Sequence, residues 1–304
     1  MTTASRVFWI HALTPLHVGA GQGVGFIDLP VMREKATGWP IVPGSTVKGV
    51  MRGLFEDSAR RGGSGEGAGP RVDNHLIDTA FGRGGQEDRQ DQAGSLVYTD
   101  ARLVLLPVRS VYGTFAWVTC RLALELLRRD LRYAGLEAPA VPSPVDDRTI
   151  LTPGTVLAKD GEVYLEDLDF RREEGADEWA DFLSRQVFPD DPEWVSLFRE
   201  RMAVVSDDVF GFLAETGTEV AARIRIDPVC RTVEGGALWY EESLPAETLM
   251  AGTVWCDRVY GQNGPSAGDL IRAFCARPLR CQLGGKATVG KGLVRLVFSG
   301  GEGR

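Results

Sequence analysis

The chain has 304 residues, 43% hydrophobic and 25% charged, which is enough to bury a core as one large domain. No apolar run is long enough to cross a bilayer and no apolar segment opens the chain, so a cytoplasmic protein with no membrane partner is expected. Five cysteines without a CxxC pair and three histidines without ligand spacing argue against a disulfide framework and a structural zinc site. The net charge of −8 opposes polyanion binding only as a total. Residues 1–55 carry five Lys/Arg against two Asp/Glu, and residues 271–304 carry seven against one. If the two ends fold together they make one basic surface on an acidic body, and the local field is what steers a polyanion.

Residues 6–12 alternate and are rich in β-formers, so they predict a first strand, with His11 structural inside it. Gly19, Gly21, Gly23 and Gly25 follow at every second position. They have no side chains to pack a strand face, so they admit close approach of another backbone. Asp28-Leu29-Pro30 and a Thr37-Gly38 turn come next. Residues 45–60 then predict a helix: Ser45 or Thr46 can cap it, and Val47, Val50, Met51, Leu54 and Phe55 recur at helical spacing. Lys48 and Arg52 lie one turn apart near the positive end of its dipole, a place suited to a phosphate or to an ordinary solvated face.

Flexible loops are expected at 62–70 and 82–94, strands at 95–108 and 112–119, and a helix at 120–133 with Arg128, Arg129 and Arg132 in its last turns. A proline-rich connector spans 139–153. Residues 160–219 hold eighteen Asp/Glu against five Arg and read as a mostly helical acidic insertion, with helices at 176–188, 191–203 and 206–214. Such a face is either solvated or docks on a basic neighbour. Strands are predicted at 220–227, 253–260, 279–283 and 293–298, and a helix at 269–276. The interleaving suggests an α+β fold, a sheet covered on one face by helices in the ferredoxin-like or RNA-recognition plan.

Gly285, Gly290 and Lys291 nearly spell a P-loop, but Gly292 stands where Ser or Thr would bind magnesium, and a strand follows where a helix should start. What remains is a glycine-rich loop whose amides, with Lys286 and Lys291, can cradle phosphates, or a tight hairpin with incidental lysines. Asp28 is a lone loop aspartate, a type that usually faces solvent or caps. His17 precedes the glycines and can contact phosphate, protonate a leaving oxygen or bond locally. Trp239 and Tyr240 can wedge between bases or pack on the core. Glu234, Glu241 and Glu242 are further acids beside them.

The ordered runs TPLHVGAG, IDLP, MRE, TGWPIVPGS and VKG resemble the RAMP proteins of type III CRISPR effector complexes, most closely the backbone subunits of the Cmr (type III-B) complexes. GGKATVGKGLVRLVF resembles that superfamily's glycine-rich loop and closing strand, and RTVEGGALWYEESLP its thumb hairpin. The likeness covers the start, later middle and end of the chain and is weak between about residues 60 and 220.

It implies one RAMP domain over 1–304 with a modified ferredoxin-like fold, the insertion at 160–219 and a thumb hairpin at 228–248. It also implies guide-RNA binding by His17, Gly19, Gly21, Lys48, Arg52, Trp239, Tyr240, Gly284, Gly285, Lys286, Gly290 and Lys291. Asp28, at the IDLP position, would be the residue needed for metal-dependent cleavage of target RNA. One carboxylate cannot hold two metal ions, so Asp28 would either hold one Mg2+ or similar divalent cation or accept the proton of an attacking 2′-hydroxyl. The implied partners are guide RNA, target RNA, copies of the chain stacked head to tail, and other Cmr subunits. A non-catalytic RNA-binding scaffold and a type III-A (Csm) backbone subunit are the alternatives.

Overall fold

The computed structural model describes residues 4–21, 23, 25–60, 72–84, 91–145, 147–227, 229–260 and 264–300. The expected loop at 62–70 and residues 85–90 of the second loop lie outside them. Its first half contains β1 (Ala4–Ala12), β2 (Ile41–Val42), α1 (Gly44–Arg60), α2 (Asn74–Phe81), β3 (Val97–Tyr98), β4 (Ala101–Arg109), β5 (Phe115–Cys120) and α3 (Arg121–Tyr133). The middle adds β6 (Arg148–Leu151), β7 (Ala158–Lys159), β8 (Glu162–Leu165), β9 (Leu168–Glu174), α4 (Asp177–Val187), α5 (Pro192–Arg199), β10 (Met202–Val205) and α6 (Asp207–Thr216). The remainder is β11 (Glu219–Ile226), β12 (Val233–Ser243), β13 (Leu249–Cys256), α7 (Ala267–Phe274), β14 (Leu279–Gln282) and β15 (Leu293–Ser299).

Strand β1 explains the architecture. Its Val7, Phe8, Trp9 and Ile10 are all fully buried, which a strand achieves only with both faces of its sheet covered. Phe8 and Ile10 join a core with Val47, Met51 and Phe55 of α1, Phe81 of α2 and Phe274 of α7. Val7 and Trp9 point the other way, into a core with Leu127 of α3, Trp179 of α4 and Phe198 of α5. The sheet is thus covered on both faces, not on one as expected. Truncating Phe8 to alanine would cost about 3–5 kcal/mol.

The main sheet runs β14-β15-β1-β13-β4-β5-β10-β6-β9-β8-β7, with β2 added to β4 and β3 to β13. β1 pairs antiparallel with both β13 and β15, so strands from the two ends of the chain lie side by side in the sheet. The acidic segment carries the three expected helices, as α4, α5 and α6, and beyond expectation three strands. Its β8, β9 and β10 belong to the main sheet, and β10 is buried at all four residues between β5 and β6. Charges on a short alternation hid β8 and β9, while β10, apolar at all four residues, is too short to stand apart from the helix expected at 191–203. The expected helix at 191–203 is α5 followed by β10; Asp191 caps it and Pro192 opens it. Helix α2, capped by Asp73, and strand β6, inside the proline-rich connector, carry too little periodicity to be read from sequence.

β11 and β12 form a separate two-stranded hairpin. It begins at Glu219, ahead of the expected boundary at 228. Its inner end meets the glycine-bearing N-terminal segment, and there the candidate site lies.

Candidate nucleic-acid interface

The residues after the alternating glycines run alongside β12 as a short strap. Tyr240 O accepts from Leu29 N (3.0 Å), and Leu29 O accepts from Glu242 N (3.0 Å). Asp28 itself is exposed, and its Oδ2 accepts from Tyr240 N at 2.7 Å. Its Oδ1 has no partner among the described residues. The carboxylate is therefore held in place through one oxygen and offers the other to solvent.

Two adjacent glutamates lock the strand that holds it. Glu241 and Glu242 are each 2% exposed and, being neighbours on a strand, point to opposite faces. A buried carboxylate must be paired, and both are. Glu241 meets Lys291 Nζ at 2.8 Å and Lys286 Nζ at 3.2 Å. Burial pushes its carboxyl pKa up, but the two ammonium groups outweigh burial and hold it below the usual value. Glu242 accepts from Arg33 Nη2 (2.5 Å), Val31 N (2.8 Å) and Thr218 Oγ1 (2.9 Å). Sequence reasoning left these acids unassigned. The signal was there: adjacent glutamates on a strand beside a core need two cations, one per face.

The same clamps revise several expected RNA contacts. Lys291 is buried, donates to Ser243 Oγ at 2.6 Å and pairs with Glu241, so it does not face a phosphate. Lys286 is one-third exposed and keeps access to solvent. Gly284, Gly285 and Gly290 are exposed at the same loop. Gly284 has φ +72°, and a Cβ there would lie 2.2 Å from His17 O, so the loop can sit on this segment only with glycine. Gly285 N donates to that oxygen at 2.8 Å.

His17 is 6% exposed, with Nδ1 2.6 Å from Glu242 O. A carbonyl only accepts, so Nδ1 carries a proton, which leaves Nε2 as the ring's other polar atom. That nitrogen lies against Gly19, where a Cβ would approach it to 3.1 Å. His17 thus ties strap, hairpin and glycine loop together from inside, and in this position it is not a surface RNA contact. Gly19 and Gly21 beside it are exposed.

The start of α1 is not an open phosphate site. Gly44 N donates to Asp100 Oδ1 at 2.8 Å, so a carboxylate from 56 residues along the chain already occupies the positive end. Neither Ser45 nor Thr46 is the cap. Lys48 Nζ donates to Leu96 O at 2.8 Å, and burial lowers its pKa. Arg52 pairs with Glu56 at 2.7 Å within the helix. Both expected phosphate ligands therefore have internal partners.

Around Asp28 the exposed groups are aromatic and apolar. Phe26 is 75% exposed and sits edge-on to Tyr240, 37% exposed, with ring centroids 6.4 Å apart. Val220, Ile224 and Leu238 extend that face along the hairpin, because Ala222 pairs with Tyr240 and Ile224 with Leu238. Trp239 lies half-buried on the opposite face beside exposed Arg223. Between the strap, hairpin and α6 lies a cavity of about 880 Å3, lined by Phe26, Ile27, Val31, Arg33, Val220 and Glu242 among others. Phe26 and Arg223 went unmarked in the sequence, since a lone loop phenylalanine and a lone strand arginine carry no periodic signal.

Among the described residues no three His, Cys, Asp or Glu side chains gather as a metal site. Glu241 and Glu242 are committed to their cations. Asp28 Oδ1 can supply one coordination position, so a divalent ion fits only if substrate phosphate and water supply the others.

The sequence matches the RAMP superfamily over residues 9–295. It is 33% identical over 298 residues to the CRISPR system Cmr endoribonuclease Cmr4 of Pyrococcus furiosus, spanning 95% of this chain and 94% of that protein. The crystal structure of oligomeric Cmr4 from Pyrococcus furiosus matches with a TM-score of 0.74 at 26% identity, over 98% of this chain and 99% of that one. The CRISPR system Cms endoribonuclease Csm3 of Streptococcus thermophilus is 33% identical over 93 residues, 30% of this chain and 40% of that protein. The chain belongs to the RAMP superfamily, in the family of the Cmr4 endoribonucleases.

Proposed function

We propose that this chain is the repeating backbone subunit of a cytoplasmic type III-B (Cmr) effector complex, holding guide RNA and cleaving paired target RNA at Asp28. Full-length similarity to Cmr4 supports the reading. The observation that carries it is the exposed Asp28 carboxylate, fixed by Tyr240 N–H through one oxygen and open at the other. The free oxygen accepts the proton of the target's 2′-hydroxyl. The 2′-oxygen attacks phosphorus and the 5′-oxygen leaves with a proton from water, giving a cyclic phosphate and a 5′-hydroxyl. His17, buried and donating to a carbonyl, is not the acid in this position.

Guide phosphates would meet the exposed backbone at Gly19, Gly21 and Gly284 together with Lys286, since the Gly285 and Gly290 amides already donate to His17 O and Ala287 O, and bases would stack on Tyr240 and Phe26. If Asp28 instead held a divalent cation, that ion would supply charge neutralisation at the target phosphate, and another group would take the 2′-hydroxyl proton. Copies would associate head to tail through heterologous surfaces, as the oligomeric state of the relative suggests.

Two substitutions test the chemistry in assembled complexes. Asp28→Asn should leave guide binding intact and abolish cutting; wild-type cutting would place the active site elsewhere. A 2′-deoxy substitution at the scissile nucleotide should bind normally and resist cleavage at that linkage alone. Undiminished cutting there would remove Asp28 as the base for a 2′-hydroxyl.

A further inference from the structure

Tyr240 N–H is the sole group among the described residues that holds the Asp28 carboxylate, and Tyr240 immediately precedes Glu241. Whatever fixes Glu241 therefore fixes the donor. Glu241 is 2% exposed and Lys291 7% exposed, so neither is held by solvent. Lys291 reaches Glu241 Oε1 at 2.8 Å and Ser243 Oγ at 2.6 Å, gripping β12 at two positions on the same face. The backbone of Lys291 is itself anchored. Its carbonyl takes the Gln282 side-chain amide, its neighbour Gly292 donates to Pro15 O at 2.8 Å, and Leu283 N donates to Gly292 O at 2.8 Å. That anchor is the closing edge of the main sheet, β14 and β15.

A two-stranded hairpin standing alone is marginally stable. Here it projects from the body, and its inner end is pinned through buried charge. We propose that Lys291 and Glu241 are positioning residues for cleavage, transmitting the rigidity of the main sheet through β12 to the Tyr240 amide and so to Asp28. This rests on Asp28 as the catalytic group. Lys286, 3.2 Å from the other Glu241 oxygen and one-third exposed, links the same clamp to the open side of the glycine loop.

The energetics identify the decisive variants. Glu241→Gln preserves shape but strands a buried ammonium, which repels its surroundings and draws in water. The hairpin base then loosens. Lys291→Met removes that charge while keeping the length of the side chain. The double variant leaves no buried unpaired ion, since Lys286 is one-third exposed to solvent, and additivity fails if the pair acts as one unit.

The test uses complexes assembled on guide RNA, measuring target affinity and the single-turnover cleavage rate at saturating target. Glu241→Gln should slow cleavage about 10- to 100-fold with target affinity retained, the size of effect expected when a reacting group shifts by about an ångström. Adding Lys291→Met should recover most of that rate. Hydrogen exchange of the peptide holding Tyr240 should rise in the single variant and fall back in the double. Three outcomes overturn the proposal: a wild-type rate in Glu241→Gln, a parallel loss of affinity and rate, or a double variant as slow as the single. Asp28→Asn run alongside separates the two ideas. If it cuts normally, the Asp28 reading fails; if it is inactive while Glu241→Gln cuts at full rate, the clamp alone fails.

Discussion

The two ends of the β11–β12 hairpin invert each other. At its base the charged side chains of Glu241 and Glu242 are buried and the strand is stitched to the body. Farther out Ile224, Ile226 and Leu238 are 48–57% exposed among the described residues. Burying charge is unfavourable unless each ion is paired, and exposing a continuous apolar face is unfavourable unless something covers it. The base meets its condition within the chain. The outer part does not meet it among the described residues, so a second copy or stacked bases are the candidates to cover it. One element thus divides into a part stitched to the body by buried pairs and a part left exposed among the described residues.

Breaking the base should have the largest effect. Glu242→Ala removes the acceptor for Val31 N, Thr218 Oγ1 and Arg33 together. It should lower stability by about 2–4 kcal/mol, because Val31 N and Thr218 Oγ1 lose their acceptor, while Arg33, a quarter exposed, keeps the carbonyls of Gly38 and Ala214. Urea unfolding checks this, and Glu242→Gln should retain part of the loss because its amide oxygen still accepts.

The glycine loop offers a sharper contrast, because its two lysines differ in burial. Lys291→Ala should destabilise the fold by about 1–3 kcal/mol, since it leaves the buried Glu241 carboxylate with one cation. Lys286→Ala, at a one-third exposed site, should change stability by less than about 1 kcal/mol. Its effect belongs in RNA binding: the slope of log affinity against log salt should fall by about one. Equal effects in both assays would erase the distinction between an internal and an open lysine.

The contrast also shows where sequence is legible. Strand β1, helix α1 and β15 were readable because their apolar periods are long and pure. The glycine loop and Asp28 were readable as two separate motifs, but nothing local in either says that both meet β12, the one through Glu241 and the other through Tyr240. Nor could either convey burial. Lys48, Arg52 and Lys291 look like free cations in a sequence, yet Leu96 O, Glu56 and Glu241 claim them, the first and last from 48 and 50 residues away. Long-range pairing leaves no local pattern. Strands β8 and β9 of the acidic segment were lost for a different reason, since their charges face solvent at short spacing and mask a short alternation.

On the outer part of the hairpin, Ile224→Thr combined with Leu238→Thr should leave monomer stability within about 1 kcal/mol, since threonine keeps β propensity. Self-association, followed by sedimentation, should weaken markedly. Unchanged association would mean that copies meet elsewhere, and the exposed face would be left to RNA.

The smallest effect is one of pH, and it separates burial from local bonding. Asp269 and Glu241 are both held below their ordinary values by opposite routes. Asp269 is an exposed capping-box residue of α7, lowered to about 2 by the Ser266 hydroxyl and amide and then by Arg272. Glu241 is lowered by its lysines against the upward push of burial. A depressed carboxylate adds stability that is complete above its unfolded value and disappears as pH falls through its folded value. For Asp269 that window runs from the ordinary 3.8 down to about 2. Asp269→Asn should therefore flatten the stability–pH curve within it and leave the region above pH 5 parallel to wild type. Glu241→Gln should instead lower the whole curve at neutral pH, because the stranded Lys291 charge persists there. If Asp269→Asn lowered the neutral plateau as much as Glu241→Gln, exposure would not govern what an ion pair contributes in this molecule, and the contrast between the hairpin's base and its open surfaces would fail with it.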